Sequence, residues 1–253
     1  MFMSAFWLGD EQMNDCKRVV AVFGANGLTG RLLIERLLDR GWCVRAITRH
    51  PDAIQVSTPR LEVARADATN PAHVAEVVQG CYAITSVLGV RYSKHPINSY
   101  SASAHAIVGA MQAQAIRRLI VTSSMVVTGW RDPEMNWFAR TLITQFLERI
   151  GSTLYDDMRR MEHIVSQSDL DWTIMRPLGL ASMDAPTKYA VARDHIAGRQ
   201  TARRDLAAAI ADQLDLTTDL RAAVAIATTN KTQNLPLTIW REGIKPNLFG
   251  RSQ

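Results

Sequence analysis

Seven consecutive residues, Gly24-Ala25-Asn26-Gly27-Leu28-Thr29-Gly30, have the composition and spacing to hold a diphosphate. Gly24, Gly27 and Gly30 recur at every third position, as GxxGxxG. Glycine lets the chain turn sharply out of a strand and lets backbone approach a pyrophosphate that no Cβ obstructs. The free N–H groups and positive dipole end of a following helix then face that anion. Asn26, Leu28 and Thr29 complete the turn, and Gly30 allows the helix to lie close to the sheet. Arg49 stands roughly 20 residues further on, where an NAD-specific fold carries Asp or Glu against the ribose 2′-hydroxyl. Neither acid is there. The planar fork of arginine suits a 2′-phosphate, so the expected cofactor is NADP (NADPH). The plain alternative is a solvated arginine at a strand end.

These residues need elements to hold them. Val19 to Phe23 is an apolar run without polar alternation, which predicts a strand buried on both faces of a parallel sheet. After the glycine turn, Leu32, Leu33, Ile34, Leu37 and Leu38 form one helical stripe that closes at Gly41. Trp42 to Thr48, Arg60 to Ala66, Tyr82 to Leu88, Leu119 to Ser123 and Asp171 to Met175 read as further strands. Helices are expected over Pro71 to Gln79, opened by Asn70 as N-cap, and over Ser99 to Ala115, Trp137 to Arg149 and Asp156 to Ser166. This alternation predicts an α/β fold with right-handed crossovers and one doubly wound parallel sheet. Past Pro177, an edge strand over Lys188 to Arg193, a helix over Arg203 to Leu216 and a final strand over Leu235 to Trp240 are expected to make a small C-terminal substrate lobe. One domain therefore spans 18–253, with 178–253 contributing the lobe, and 1–17 are an extension outside it. In that extension Phe2, Met3, Phe6, Trp7 and Leu8 precede the acids Asp10, Glu11 and Asp15, the reverse of a signal peptide's charge order.

In such a sheet ligands sit outside the carboxyl ends of the strands. The ends concerned are Gly24 to Gly30, Thr48-Arg49, Asp67-Ala68, Leu88-Gly89, Thr122 to Ser124 and Pro177-Leu178. Asp67 reads either as an acceptor for an adenine amine or as a turn-capping aspartate. Gly89 lets the chain pass close to ribose or pyrophosphate. Thr122, Ser123 and Ser124 offer hydroxyls to the nicotinamide end, or serve as turn formers.

Composition sets the outer bounds. The 253 residues are 47% hydrophobic and 21% charged, an ordinary globular composition. The net charge of +5 comes from 29 basic and 24 acidic residues with no basic tract, so no nucleic-acid partner is expected. Cys16, Cys43 and Cys81 make no CxxC pair and no disulfide framework; Cys43 reads as a small buried hydrophobe, and a reducing cytoplasmic setting follows. Six scattered histidines without an HExxH predict no metal site, and no apolar run is long enough to span a bilayer.

GANGLTG, the Thr48-Arg49 pair, Leu88-Gly89, VTSS over 121–124 and DWTIMRP over 171–177 together resemble the atypical short-chain dehydrogenases. From Lys17 to Thr229 the chain is most similar to their NmrA-like and biliverdin reductase B (flavin reductase) branch. VLGVRYSKHPINSYSASAHAIVGAMQ, which includes Arg91, resembles that branch's segment after the fourth strand, and DDMRRMEHIVSQSDLDW with RRDLAAAIADQL resembles its last helix pair. The resemblance implies a Rossmann-type fold, NADP binding and reduction of a flavin, biliverdin, quinone or similar flat conjugated compound.

The chain also departs from that pattern. Ordinary short-chain dehydrogenases use a serine with a Tyr-x-x-x-Lys pair to protonate a carbonyl oxygen. Here Tyr155 is followed by Arg159 at the lysine position, and arginine cannot be the same titrating partner. Ser124 matches the branch's serine and is one candidate catalytic residue, orienting substrate or nicotinamide. Tyr155 is the other, as proton donor; its alternative is a loop tyrosine packed on the surface. Arg193, Arg199, Arg203 and Arg204 either attract an acidic substrate or form a solvated face. Two functions fit: an NADPH-dependent reductase of a small, flat conjugated molecule, acting as monomer or small homo-oligomer, and a non-catalytic NADP-binding sensor.

Overall fold

The computed structural model describes residues 18–91, 93, 95–129, 152–183, 187–193, 196–198 and 200–229. The predicted helix over Trp137 to Arg149, the predicted strand over Leu235 to Trp240, and Arg199 lie outside these residues. Strand β1 is Val19–Phe23, all five residues buried, as expected of an apolar run sandwiched between two layers. Helix α1 follows over Leu28–Asp39, then β2 over Cys43–Thr48, β3 over Leu61–Arg65, α2 over Pro71–Val77 and β4 over Ala83–Ser86. Asn70 caps α2 by accepting from the backbone N–H groups of Ala72 and His73, with Pro71 at the first helical position. Helix α3 spans Ser99–Ala113, β5 spans Arg118–Thr122, α4 spans Ser152–Ser166 and β6 spans Asp171–Pro177. Three short strands follow, β7 over Gly179–Ala181, β8 over Tyr189–Ala192 and β9 over Gln200–Ala202, then α5 over Arg203–Asp215 and β10 over Ala222–Thr228.

Eight strands form one sheet in the order β3-β2-β1-β4-β5-β6-β10-β8. Every pairing is parallel except β8 against β10, with Val20 opposite Val44 on one side and Ala83 on the other. The sheet thus has the reversal between β1 and β4 that opens a ligand crevice at the carboxyl ends in a Rossmann-type fold. Two cores flank it. Phe23, Ile84, Leu119 and Ile174 pack under α3 and α4, and Val20, Val44, Ile120 and Met175 pack under α1 and α5.

The stretch from β6 through Thr228 is more fully absorbed into the sheet than the sequence led us to expect. Strand β10, which is not among the expected strands, pairs with β6 from Ala222 opposite Thr173 to Ile226 opposite Pro177. Helix α5 lies on the sheet face beside α1 rather than over the carboxyl edge, fastened by Arg40 to Asp212. Beyond the carboxyl ends of β6 and β10, the small pair of β7 and β9 is held by Thr201, whose hydroxyl donates to the carbonyl of Ile226 at 2.7 Å. Cys43 is disulfide-bonded and not simply a buried hydrophobe, while Cys81 is a free, buried thiol that desolvation pushes up to about 11.

Arginines fasten the amino-terminal end of the sheet. Arg118, nearly fully buried at the start of β5, donates to the carbonyls of Gln213 and Asp171 and to the Thr173 hydroxyl at 2.9 Å. Arg18 lies over the rings of Trp42 and Tyr82, 5.9 and 5.3 Å from their centroids. Arg45 bridges Glu62 at 2.6 Å and the last carbonyls of α2 and its following turn.

Candidate functional site

The turn from β1 into α1 is shaped by what its glycines can and cannot accommodate. Gly24 has a φ of +81°, and a Cβ there would lie 2.7 Å from the carbonyl oxygen of Val87, just past β4. A Cβ on Gly30 would fall 2.2 Å from the carbonyl oxygen of Gly24, closing helix onto turn. Both glycines therefore serve the chain's own packing. Gly27 differs, because a Cβ there would meet only the Gly24 carbonyl oxygen, at 3.2 Å. It is the N-cap of α1 and offers no side-chain cap, and the first turn of the helix holds no acid. The leading N–H groups of α1, around Leu28 and Thr29, thus face outward beside a bare backbone, a ready anion cradle. Leu28 is 62% exposed at the same spot, an apolar side chain left uncovered at the lip of the crevice.

Arg31, which sequence reading passed over, holds this turn in shape. Its guanidinium donates to the Asn26 side chain and backbone and, at 2.9 Å, to the carbonyl of Ala53 in the loop after β2. That loop begins at Arg49. The Arg49 side chain is exposed and has no partner among the described residues, while its carbonyl accepts from Arg65 at 3.3 Å. Arg65 ends β3 opposite Thr48. Three arginines thus ring the carboxyl end of β2, and only parallel pairing of β2 with β3 brings the third one there. Asp67 answers the choice left open above in part. Its Oδ1 accepts from the backbone N–H and the hydroxyl of Thr69, and these bonds hold its carboxyl below the usual range. It is a turn-capping aspartate, and Ala68 beside it packs against the core.

At the centre of the edge, Leu88, Gly89 and Arg91 follow β4, with Gly89 and Arg91 exposed. Tyr100 of α3 fixes this segment by accepting from the N–H of Val90 at 3.2 Å. At the end of β5 the hydroxyls of Thr122 and Ser123 are buried and have no hydrogen-bond partner among the described residues, and an unpaired buried hydroxyl costs about 1–3 kcal/mol. Ser124 caps a short 3-10 turn over Met125–Thr128, its Oγ accepting from Val126 at 3.3 Å. Pro177 ends β6, and Leu178 is buried with its N–H donating to the Thr201 hydroxyl.

Tyr155 is not a surface loop residue. It lies in the first turn of α4, buried in the core beneath that helix. Arg159, one turn later, donates to the carbonyl of Val127 at 3.1 Å and pairs with Asp156 at 2.6 Å. It braces the turn that begins at Ser124. Of the arginines read as attracting an acidic substrate or as a solvated face, Arg193 binds Thr218 and Asp219 at the opposite end of the sheet, and Arg204 faces Glu35 between α5 and α1. Arg203 bonds Ser182 after β7, at the carboxyl edge. The described residues hold no group of His, Cys, Asp and Glu side chains able to bind a metal, and no helix among them is long and apolar enough to cross a membrane.

A family model described as NAD(P)H-binding matches residues 24–217 of this chain. An uncharacterized chloroplastic protein of Arabidopsis thaliana is 30% identical over 178 residues, covering 66% of this chain and 61% of that protein. The chain therefore spans less than two thirds of that relative's length. Among solved structures, a short-chain dehydrogenase/reductase from Veillonella parvula in complex with NADP superposes with a TM-score of 0.68 at 19% identity, over 84% of this chain and 95% of that one. An anaerobilin reductase from Escherichia coli O157:H7 does so with a TM-score of 0.66 at 21% identity, over 85% of this chain and all of the other, 100%. At such identities the two structures speak for the fold.

Proposed function

The chain belongs to this NAD(P)H-binding family, and from that premise we propose that it is an NADPH-dependent reductase that passes hydride to a small, flat, conjugated acceptor such as a flavin, a bilin or a quinone. The bare cradle at Gly27, with an exposed Arg49 whose guanidinium has no hydrogen-bond or ion-pair partner among the described residues, carries the reading. Gly27, Leu28 and Thr29 would take the pyrophosphate on backbone N–H groups, and Arg49, flanked by Arg31 and Arg65, the 2′-phosphate. Gly89 and Arg91 would pass alongside the ribose. The unpaired hydroxyls of Thr122 and Ser123 would meet the carboxamide end, where the cofactor, when bound, supplies the hydride. Ser124 would orient the acceptor, and the exposed Leu28 would offer apolar surface to a flat ring.

The position four residues after Tyr155 is Arg159, and arginine cannot play the titrating role of the lysine in a carbonyl reductase's Tyr-x-x-x-Lys pair; its guanidinium instead bonds Val127 and Asp156. A conjugated ring spreads the incoming charge and takes its proton from water, which is why that acceptor class is preferred. The same observation favours a second reading, a non-catalytic NADP-binding sensor. NADPH oxidation followed against a panel of flavins, quinones and biliverdin separates the two. Turnover of at least one acceptor is expected, and tight NADPH binding without turnover on any of them moves the assignment to the sensor.

A further inference from the structure

Helix α4 grips two segments of the carboxyl edge with two different stripes. On one stripe, Thr153 donates to the carbonyls of Ser93 and His95 at 3.2 and 3.4 Å, and Arg160 donates to the carbonyl of Ile97 at 3.0 Å. Between them Asp157, fully buried, accepts from the backbone N–H groups of Tyr100 at 2.8 Å and Ser101 at 3.4 Å and from the Ser101 hydroxyl, and it pairs with Arg160 at 3.1 Å. These are the first N–H groups of α3, whose own N-cap, Asn98, makes no side-chain cap bond. A carboxylate from another helix does the capping instead. Tyr100 then passes the restraint back to Val90, beside Gly89 and Arg91. On the other stripe, Arg159 holds Val127 in the turn that starts at Ser124.

We propose that Asp157 is a positioning residue for the nicotinamide half of the cofactor, setting through α4 the gap between the segment after β4 and the turn after β5. The inference rests on the dinucleotide reading of the crevice. The adenosine half, at β1 to β3, touches none of these bonds. A carboxylate suits the task because both its oxygens accept, whereas an amide would turn an N–H toward the Ser101 or Arg160 donors.

The test uses the full chain and two ligands, NADPH and adenosine 2′,5′-bisphosphate, which carries the adenosine half alone. Asp157→Asn is expected to weaken NADPH about tenfold, as the loss of one charge-assisted bond would, and to leave adenosine 2′,5′-bisphosphate within about twofold. Thr153→Val, which keeps shape and removes the hydroxyl, is expected to act in the same sense at about threefold, and it serves if the first variant does not fold. Equal weakening of both ligands would reduce Asp157 to a general structural role and overturn the proposal, as would unchanged affinity for both. Binding of neither ligand by the native chain would remove the dinucleotide reading itself, a separate outcome.

Discussion

At the amino-terminal end of the sheet, Arg18, Arg45, Arg117, Arg118 and Arg221 all reach partners within the chain, whereas at the carboxyl-terminal end the guanidinium groups of Arg49 and Arg91 have none among the described residues. The two ends are built from the same side chain. At one end its donors are consumed by carbonyls that strand pairing leaves at Asp169, Leu170 and Asp171. At the other, glycine keeps the backbone bare, and although Arg31 and Arg65 reach loop carbonyls, the donors of Arg49 and Arg91 are left over. An arginine becomes a fastener or a ligand-binding group according to whether the fold brings it an acceptor, and residue type alone does not decide.

The largest test of this contrast is Arg118→Met. It removes the fastener and takes their buried donor from the carbonyls of Gln213 and Asp171, while the Thr173 hydroxyl keeps its bond to Asp219, so a loss of about 2–4 kcal/mol is expected in denaturant melts, with NADPH affinity per folded molecule unchanged. The last and the middle glycine of the turn sharpen it next. Gly30→Ala drives a Cβ into the Gly24 carbonyl and should cost about 2–3 kcal/mol of stability. Gly27→Val should instead leave the circular dichroism and melting temperature nearly unchanged while NADPH binding falls below detection, and a folded variant that binds as tightly as the parent would refute the cradle.

Arg49→Asp is the counterpart of Arg118→Met. Stability should be unchanged, and the preference for NADPH over NADH should reverse or vanish, since a charge-assisted phosphate contact is worth about 1.5–3 kcal/mol, or about tenfold to a hundredfold. Equal affinities of the parent for the two cofactors in calorimetry would refute the assignment of Arg49. The smallest effects are expected at the hydroxyls. Ser124→Ala should lower turnover about tenfold by removing one positioning bond. Tyr155→Phe should change it little, and loss of turnover in that variant with binding intact would restore a tyrosine-based carbonyl reduction.

Much of this was legible in the chain. Val19 to Phe23, the glycine turn and the leucine stripe of α1 are local signals, and they fall where period and turn chemistry place them. Strand β10, AAVAIAT over Ala222–Thr228, carries β-branched Val224, Ile226 and Thr228 at alternate positions, but the alanines between them and the absence of a polar face weaken that signal; it is a strand because β6 offers it a parallel edge. Strands β7 and β9 have three residues each, too few for any period. Arg65 and Asp157 were invisible for another reason. One reaches the crevice only through strand register and the other caps a helix 57 positions away, so their roles exist only after the chain has folded. Arg193 misled in the converse way, since nothing local says that β8 runs antiparallel and carries its end away from the crevice.

The buried Arg118 has one more consequence. Its guanidinium keeps a pKa of about 10 even after burial, so it remains charged at any pH a cell presents. Amide protons near it, on Leu119, Thr173 and their neighbours, can exchange with solvent deuterium only when the whole sheet comes apart, whereas those past Phe23, Ser86 and Thr122 lie where the strands fray first. Each strand should therefore carry a gradient of exchange protection falling toward the crevice, and a bound dinucleotide should flatten that gradient from its open end.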